Sequence, residues 1–199
     1  MKTYISFLLF LLAYINVLGQ NAYKYDYKQG YKYIVKAKKN LNEGNLIKAE
    51  DFIAKAKLSN YGFCGNAWAS ANSRIAIIEA ELLHTKKDYD KALAVLDSIQ
   101  GCGFGADCMA RDSIKIATLF LKFGKEKVKQ SFKKVNAVNR AEYPNFDQNY
   151  WVFLDDLNYK FLFRGPFPVY KDGKEIEPEK SGNDFYDIAK NQSFYKLLQ

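Results

Sequence analysis

The residues that could carry acid–base, nucleophilic or metal chemistry are few in this 199-residue chain. His84 is the only histidine, at the end of a predicted helix, and the carboxylates near it in the sequence include Glu79 and Glu81. Asp155 and Asp156 are adjacent on a predicted helix, so their side chains point in different directions and are poor partners for acid–base work. These residues lack the partnered geometry of an active site. The sequence therefore predicts a protein that is not an enzyme and that has no metal and no cofactor.

The N-terminal segment has the features of an export signal. Lys2 precedes an apolar run of eleven residues, Ile5–Ile15, and Val17 and Gly19 occupy the two positions that a signal peptidase reads. The competing interpretation is a membrane anchor, but a spanning helix needs about 20 apolar residues and this run is shorter. The sequence predicts a signal peptide over residues 1–19, a mature chain from Gln20, and export to the bacterial periplasm or the extracellular space.

Charge is unevenly distributed along the rest of the chain. Residues 20–138 contain 21 Lys and Arg against 12 Asp and Glu, whereas residues 139–199 contain 8 against 10. This predicts a basic body with a boundary near Asn139, followed by a mildly acidic extension. Basic exported proteins can meet anionic polymers, membrane surfaces or acidic proteins, although a solvated Lys-rich helix surface also explains the charge. No nucleic-acid-binding motif is visible, and the membrane is expected to be met only through the transient export signal.

Apolar residues in the basic body recur at helical spacing. They predict three helical hairpins, each with a short turn between its two helices. The predicted first helices span residues 31–41, 69–83 and 112–123, and the predicted second helices span residues 46–56, 89–99 and 125–138. Asp88 is predicted to be an N-cap.

The repeated hairpin resembles the tetratricopeptide repeat over roughly residues 30–138. The turn and second-helix opening reads GNLIKA at 44–49 and KDYDKA at 87–92, and Ala37 and Ala80 occupy the small position of the first helix. Ala117 fits that position in the third copy when it is counted from Gly124, but Val128 fits the second helix only after a one-residue shift. The resemblance implies a mostly α fold of stacked helical hairpins, an α-solenoid, with a generic helical-hairpin array as the alternative.

The resemblance also implies a partner-binding groove along the first helices. Its expected residues carry more positive than negative charge, so the groove should prefer an acidic or C-terminal segment of another protein or peptide. The two-carboxylate clamp of the family needs Lys at the place of Ile34 and is not expected here. The predicted function is a non-catalytic protein–protein interaction module of the cell envelope; the alternative is an envelope inhibitor or immunity-type protein that binds a toxin or enzyme. The groove residues implied are Tyr31, Lys38, Arg74, His84, Arg111 and Lys122.

The extension over residues 139–199 is rich in aromatic side chains and is predicted to cover the last repeat as a C-terminal cap. Residues 141–160 carry apolar side chains at helix-like spacing and are predicted to form a helix, and Asp172-Gly173 suits the turn of a short β-hairpin. Residues 184–198 are predicted to form an amphipathic helix. A separate binding surface is the second interpretation, because Trp and Tyr also anchor interfaces.

The tyrosines of segment 23–33 alternate with lysines. Such a run is predicted to pack along the first repeat, since Tyr commonly covers the edge of a core. Stacking on sugars or on a membrane interface is the alternative.

Three cysteines are present in a chain predicted to reach an oxidising compartment. The local spacing of Cys102 and Cys108 predicts one disulfide between them. A bridge from Cys64 to either of these residues, and three reduced thiols, remain the alternatives.

Overall fold

The computed structural model describes residues 23–99, 105–140, 149–166, 169–172, 174–176 and 181–199. The protein is mostly helical and carries a small three-stranded antiparallel sheet, so the mostly α class predicted from the sequence is confirmed. The chain divides into two compact units, one that ends at Cys64 and one from Gly65 to Gln199. In the part that the structure describes, no helix is long and apolar enough to cross a membrane. The predicted signal peptide lies outside the described residues.

The first unit is a helical hairpin of α1 (Tyr27–Asn42) and α2 (Leu46–Lys57). The Asp26 side chain caps α1 by accepting a hydrogen bond from the backbone N–H of Gln29 at 2.9 Å, which places the helix start one turn before the predicted residue. Of the apolar residues at helical spacing, the hairpin buries Ile34, Ala37, Ala49, Ile53 and Ala56. The others, Tyr33, Leu41 and Leu46, are only half-buried.

The segment after α2 folds back against α1 at a glycine. A Cβ atom on Gly30 would lie 2.7 Å from the Ser59 Cβ and 2.8 Å from the Tyr61 ring, so only glycine allows this approach. The Tyr61 hydroxyl donates a hydrogen bond to the Ala56 carbonyl at 2.9 Å. These contacts fix the end of the first unit against its first helix.

The second unit begins with two further helical hairpins. The first pairs α3 (Gly65–Thr85) with α4 (Tyr89–Asp97), and the second pairs α5 (Cys108–Phe123) with α6 (Lys125–Lys133). The predicted N-cap at Asp88 is confirmed, since its side chain accepts from the backbone N–H of Lys91 at 3.4 Å. Helix α6 ends five residues before the predicted bound at residue 138.

The third hairpin has a different register from the one counted in the sequence. A single residue, Gly124, separates α5 from α6, whereas three residues separate the helices of each earlier pair. Ile116 is buried, with an exposed fraction of 0%, and belongs to the same core cluster as Val128, whereas Ala117 is exposed. The placement of Ala117 at the small buried position is wrong by one residue, because the shorter turn moves the facing positions.

A sheet follows α6 where the sequence predicted an aromatic helix. Strands β1 (Asn139–Arg140), β2 (Asn149–Leu154) and β3 (Tyr159–Arg164) are antiparallel in the order β1-β2-β3. Along β2, Val152 and Leu154 are buried while Phe153 between them is exposed, which is the two-residue period of a strand. The helix predicted over residues 141–160 is therefore wrong in its described part, and residues 141–148 lie outside it.

The rest of the chain forms a hairpin and two short helices. Strands β4 (Val169–Lys171) and β5 (Lys174–Ile176) pair antiparallel around Asp172, which confirms the predicted β-hairpin. The single helix predicted over residues 184–198 is split into α7 (Asp184–Ala189) and α8 (Tyr195–Leu198).

The break between α7 and α8 is held by a contact with α5. The Ser193 hydroxyl is within hydrogen-bond distance of the Ser113 hydroxyl, at 3.1 Å, and donates to the Met109 carbonyl at 3.4 Å. Phe194 is buried beside this serine. Tertiary contacts therefore end the helix that periodicity alone would continue.

The core of the second unit joins the last helical hairpin to the sheet and the C-terminal helices. Phe161 lies 5.2 Å from Phe132 of α6 and 5.3 Å from Phe194, measured between ring centroids. Phe163 lies 5.8 Å from Phe185 of α7. Edge-to-face aromatic contacts of this kind stabilise a core beyond the area they bury. The aromatic side chains of the extension thus pack over α5 and α6.

Candidate functional site

The predicted groove residues occupy different environments. Tyr31 and Lys38 of α1 are half-buried in the first unit, and the Tyr31 ring packs edge-on against Tyr61 at 5.4 Å. Arg74 is exposed on α3 in the second unit. Tyr31 is thus partly used in packing, while Arg74 remains at the surface.

His84 and Lys122 are engaged with other side chains of the second unit. The Thr118 hydroxyl donates to the Ile114 carbonyl at 2.7 Å, so it accepts a hydrogen bond from His84 Nε2, which lies 2.5 Å away. Burial lowers the pKa of His84 below its ordinary value, so the imidazole is neutral at pH 7. Lys122 forms an ion pair with Asp90. Neither residue supplies a free positive charge.

Arg111 lies in the interior and not at a surface. Its exposed fraction is 0%, its Nε donates to Asp112 at 2.7 Å, and its Nη1 donates to the Ile99 carbonyl at 2.5 Å. The one-residue shift in the third hairpin explains this correction, because it moves Ala110 into the place that counting from Gly124 had assigned to Arg111. The guanidinium cannot contact a partner from this position.

Two buried charged side chains of α5 form hydrogen bonds with backbone groups at the outer edge of strand β3. The Asp112 carboxylate accepts a hydrogen bond from the backbone N–H of Arg164 at 2.8 Å, and Lys115 Nζ donates to the Leu162 carbonyl at 3.2 Å. Both charged side chains are almost completely buried. An uncovered strand edge can pair with other chains, and here a helix satisfies its backbone groups.

The same cluster extends to the end of α4. Lys115 forms an ion pair with Asp97, and the Tyr159 hydroxyl donates to the two Asp97 carboxylate oxygens at 2.9 and 3.0 Å. Burial lowers the pKa of Lys115, and burial with the nearby Asp97 charge raises the pKa of Tyr159. Lys115 is completely buried and its ammonium is bonded within the chain, so we assign the cluster to structure. The sequence analysis did not identify this cluster, although charged residues on an otherwise apolar helix face could have indicated it.

The first unit carries an aromatic row across its two helices. The Tyr33 ring lies 5.0 Å from Tyr25 in an edge-on contact and 6.0 Å from Phe52 in a stacked one. The ammonium groups of Lys36 and Lys55 each lie 5.4 Å from the Phe52 ring centroid. Tyr25, Tyr33 and Phe52 are all half-buried, so the row lies at the surface with cations over one end.

A row of lysines runs beside it on α1. Lys28, Lys32 and Lys36 are exposed and follow one another at four-residue spacing, which places them on neighbouring turns of one helix side. None of them forms an ion pair with a residue that the structure describes. We call these three residues the basic face. Within residues 23–64 nine lysines stand against four Asp and Glu, so the charge around the basic face is positive.

The cysteines differ in state. Cys64 is exposed and carries a free thiol, whereas Cys108 is buried and disulfide-bonded. Cys102 lies outside the described residues, so its pairing with Cys108 stays a prediction.

Comparison of the chain with family models, with curated proteins and with solved structures finds no match. Among the residues that the structure describes, no group of three His, Cys, Asp or Glu could hold a metal ion. The tetratricopeptide resemblance and the solenoid that it implies remain predictions.

Proposed function

We propose that this protein is an exported, non-catalytic interaction module that binds an acidic segment of another protein through the basic face of α1. The observation that carries the proposal is the row of Lys28, Lys32 and Lys36, exposed and without ion pairs in the described chain. Surface lysines in a folded protein are often balanced by nearby carboxylates. Here the balancing charge has to come from solvent ions or from a partner.

The spacing of these charges suits a polypeptide. Four residues of helix rise about 6 Å, so the three ammonium groups present a line of positive charge about 12 Å long. A partner segment with several Asp or Glu residues can follow such a line, and complementary charge mainly raises the rate and specificity of association. The adjacent aromatic row of Tyr25, Tyr33 and Phe52 adds the apolar anchor that interfaces commonly use.

A titration with model peptides tests the proposal. The probe is the fluorescently labelled peptide Glu-Asp-Tyr-Glu-Asp-Leu-Glu, and the control has Lys in place of every acidic residue. We expect the acidic peptide to bind and its affinity to fall as salt is raised, because exposed charges are screened over about 8–10 Å at physiological ionic strength. Equal affinity for the two peptides would contradict the proposal.

A photo-crosslinking side chain placed in the first unit can capture the partner protein itself. Val35 is exposed on α1 with an exposed fraction of 61%, which makes it a suitable position for a photo-crosslinking side chain. Crosslinking in the native host followed by mass spectrometry should yield an acidic protein. A toxin or enzyme at that position would favour inhibition, and a subunit of an assembly would favour scaffolding.

A further inference from the structure

A cleft of about 370 Å³ lies in the second unit, beside the segment that leads from α6 into β1. One wall consists of residues 134–137 of that segment together with Asn139 of β1. The other wall consists of Phe153 at the end of β2 and of Asp155 and Asp156 after it. Ligand clefts in proteins commonly have volumes of about 300–1,000 Å³, so this one has the size for a small ligand.

Hydrogen bonds hold both walls of the cleft in place. The Asn136 carbonyl accepts a hydrogen bond from the backbone N–H of Asp184 at 3.0 Å, which ties the first wall to the start of α7. The Asp156 carboxylate of the second wall accepts from Lys134 at 2.6 Å, so the two walls are also joined to each other. A ligand therefore meets a preformed cleft, and little of its binding free energy is lost in ordering the protein.

The Phe153 side chain supplies an exposed aromatic ring in this cleft. Its exposed fraction is 46%, and among the residues described no aromatic ring or cation packs against it. Trp151 lies two residues earlier on the same side of the strand, but Lys160 Nζ already lies 4.3 Å from its ring centroid. The face of an aromatic ring carries partial negative charge, so the Phe153 ring favours a ligand surface made of C–H groups.

Three polar side chains of the cleft have hydrogen-bonding groups without a partner in the described part of the chain. The Asp155 carboxylate and the Asn139 side-chain amide are both exposed and form no bond to a described residue, and the Asn136 side-chain nitrogen donates to none. A carboxylate accepts hydrogen bonds and an amide both donates and accepts, which suits hydroxyl groups, since each hydroxyl also does both. The unpaired Asp155 charge disfavours an anionic ligand, because like charges repel.

We propose that this cleft binds a neutral carbohydrate whose sugar ring stacks on Phe153. All substituents of a β-linked glucose ring are equatorial, so each face of the ring presents only C–H groups and the hydroxyl groups lie around its rim. The C–H face packs on the Phe153 ring, and the rim hydroxyls donate to Asp155 and bond with the amides of Asn136 and Asn139. The site belongs to the second unit and its ligand is uncharged, so it does not depend on the proposed function.

Saturation-transfer nuclear magnetic resonance on the full chain tests the proposal. The probe is methyl β-cellobioside, and the transfer of saturation from the aromatic protons of the protein to each sugar proton is measured. We expect a dissociation constant in the millimolar range and stronger transfer to the protons of one face of a sugar ring than to those of the other face, because one face contacts Phe153. Sorbitol, which has hydroxyl groups but no ring, is the control ligand and should receive little transfer.

Four substitutions assign the binding to the cleft. Phe153→Ala should weaken it by at least about fivefold, whereas Phe153→Tyr keeps the ring and should stay within about twofold. Asp155→Ala should weaken it by about threefold to tenfold, because the rim hydroxyls lose their acceptor. Tyr27→Ala is the matched control, since it removes an aromatic side chain of the first unit with an exposed fraction of 52%, and it should leave the affinity unchanged.

The proposal is overturned if no transfer reaches the sugar, if sorbitol receives as much, or if Phe153→Ala binds as tightly as the unmodified protein. Loss of binding in Tyr27→Ala alone would place the sugar on the tyrosines of segment 23–33 and would also contradict it. A third contrary result comes from the peptide acetyl-Thr-Val-Lys-Val-Thr-amide. If this peptide shifts the side-chain amide signals of Asn136 and Asn139 and the sugar does not, the cleft binds a polypeptide instead.

Discussion

The Asp112 carboxylate of α5 lies 2.8 Å from the backbone nitrogen of Arg164 and accepts its hydrogen bond at the outer edge of β3. Lys115, one turn further along α5, donates to the Leu162 carbonyl two residues away on the same edge. A buried carboxylate and a buried ammonium thus occupy the place that a fourth strand would take. The helix and the sheet of the second unit are joined by charge-assisted hydrogen bonds as well as by apolar packing.

Removing the Asp112 charge should destabilise the protein strongly. Asp112→Asn leaves the Arg111 guanidinium buried without its counter-ion, and loss of one partner of a buried pair typically costs about 3–5 kcal/mol. The matched control is Asp90→Asn, which removes the exposed ion pair with Lys122 and should cost less than about 1 kcal/mol. Urea unfolding of the two variants measures both values, and similar losses would contradict the role assigned to Asp112.

Gly30→Ala should destabilise the first unit even though alanine favours helices. Alanine is preferred over glycine inside a helix by about 1 kcal/mol, but its Cβ would approach the Ser59 Cβ to 2.7 Å. Overpacking costs about 1–3 kcal/mol, so the clash should exceed the gain. Gly65→Ala is the control, because no atom lies within 4 Å of its added Cβ. Thermal unfolding should show a lower melting temperature for Gly30→Ala but not for Gly65→Ala. An unchanged or higher melting temperature for Gly30→Ala would show that the segment with Ser59 and Tyr61 can move aside.

Most helices follow from sequence patterns, whereas the sheet does not. Apolar spacing located α1 to α6 because each helix buries one side, and the confirmed hairpin followed from Asp172-Gly173. The run around Phe153 contains aromatic and β-branched side chains at positions that satisfy both a helical and a two-residue period. This run forms a strand because it pairs with β3, and a pairing between distant segments is not visible in local periodicity.

The candidate site could be predicted only in part. Excess lysine in the basic body was visible in the sequence. The row of Lys28, Lys32 and Lys36 was not identified, because the predicted first helix began at residue 31 and left Lys28 outside it. The burial of Arg111 was not, because it depends on the one-residue turn at Gly124. The roles of Asp112 and Lys115 depend on backbone groups 52 and 47 residues away, which no short-range pattern contains.

The first unit should lose stability at high pH through Tyr61. Burial raises the pKa of Tyr61 from 10.0 to about 12, so the unfolded chain loses this proton first. Its contribution is therefore fully present below pH 10 and is lost as the pH rises towards 12. Tyr61→Phe also removes the hydrogen bond to Ala56, worth about 1 kcal/mol, so the variant should be less stable at pH 7. The stability gap between the two proteins, measured by urea unfolding, should narrow above pH 10; a gap independent of pH would contradict the shift.

Peptide mapping under non-reducing conditions should find one disulfide. We expect a fragment that joins Cys102 to Cys108 and an alkylated thiol at Cys64, which is exposed and free. The sample has to be taken from the native compartment, because disulfides persist only where the surroundings are oxidising. A linkage that includes Cys64, or three alkylated thiols, would contradict the predicted pairing.

We expect the basic face, and not the overall charge of the protein, to select an acidic partner. The test compares two variants with the same change in net charge. Lys28→Glu, Lys32→Glu and Lys36→Glu together reverse the basic face, and Lys125→Glu, Lys133→Glu and Lys171→Glu reverse three exposed lysines of the second unit. Circular dichroism establishes that both variants remain folded.

The deciding measurement is the dissociation constant of the acidic peptide for the two variants at physiological salt. Each exposed charge pair is worth up to about 1 kcal/mol, so reversing the basic face should weaken binding by at least about tenfold. The variant with reversed lysines in the second unit should bind within about twofold of the unmodified protein, since those lysines lie outside the proposed contact. Equal losses in the two variants would show that net charge alone attracts the peptide, and would contradict the assignment of the basic face.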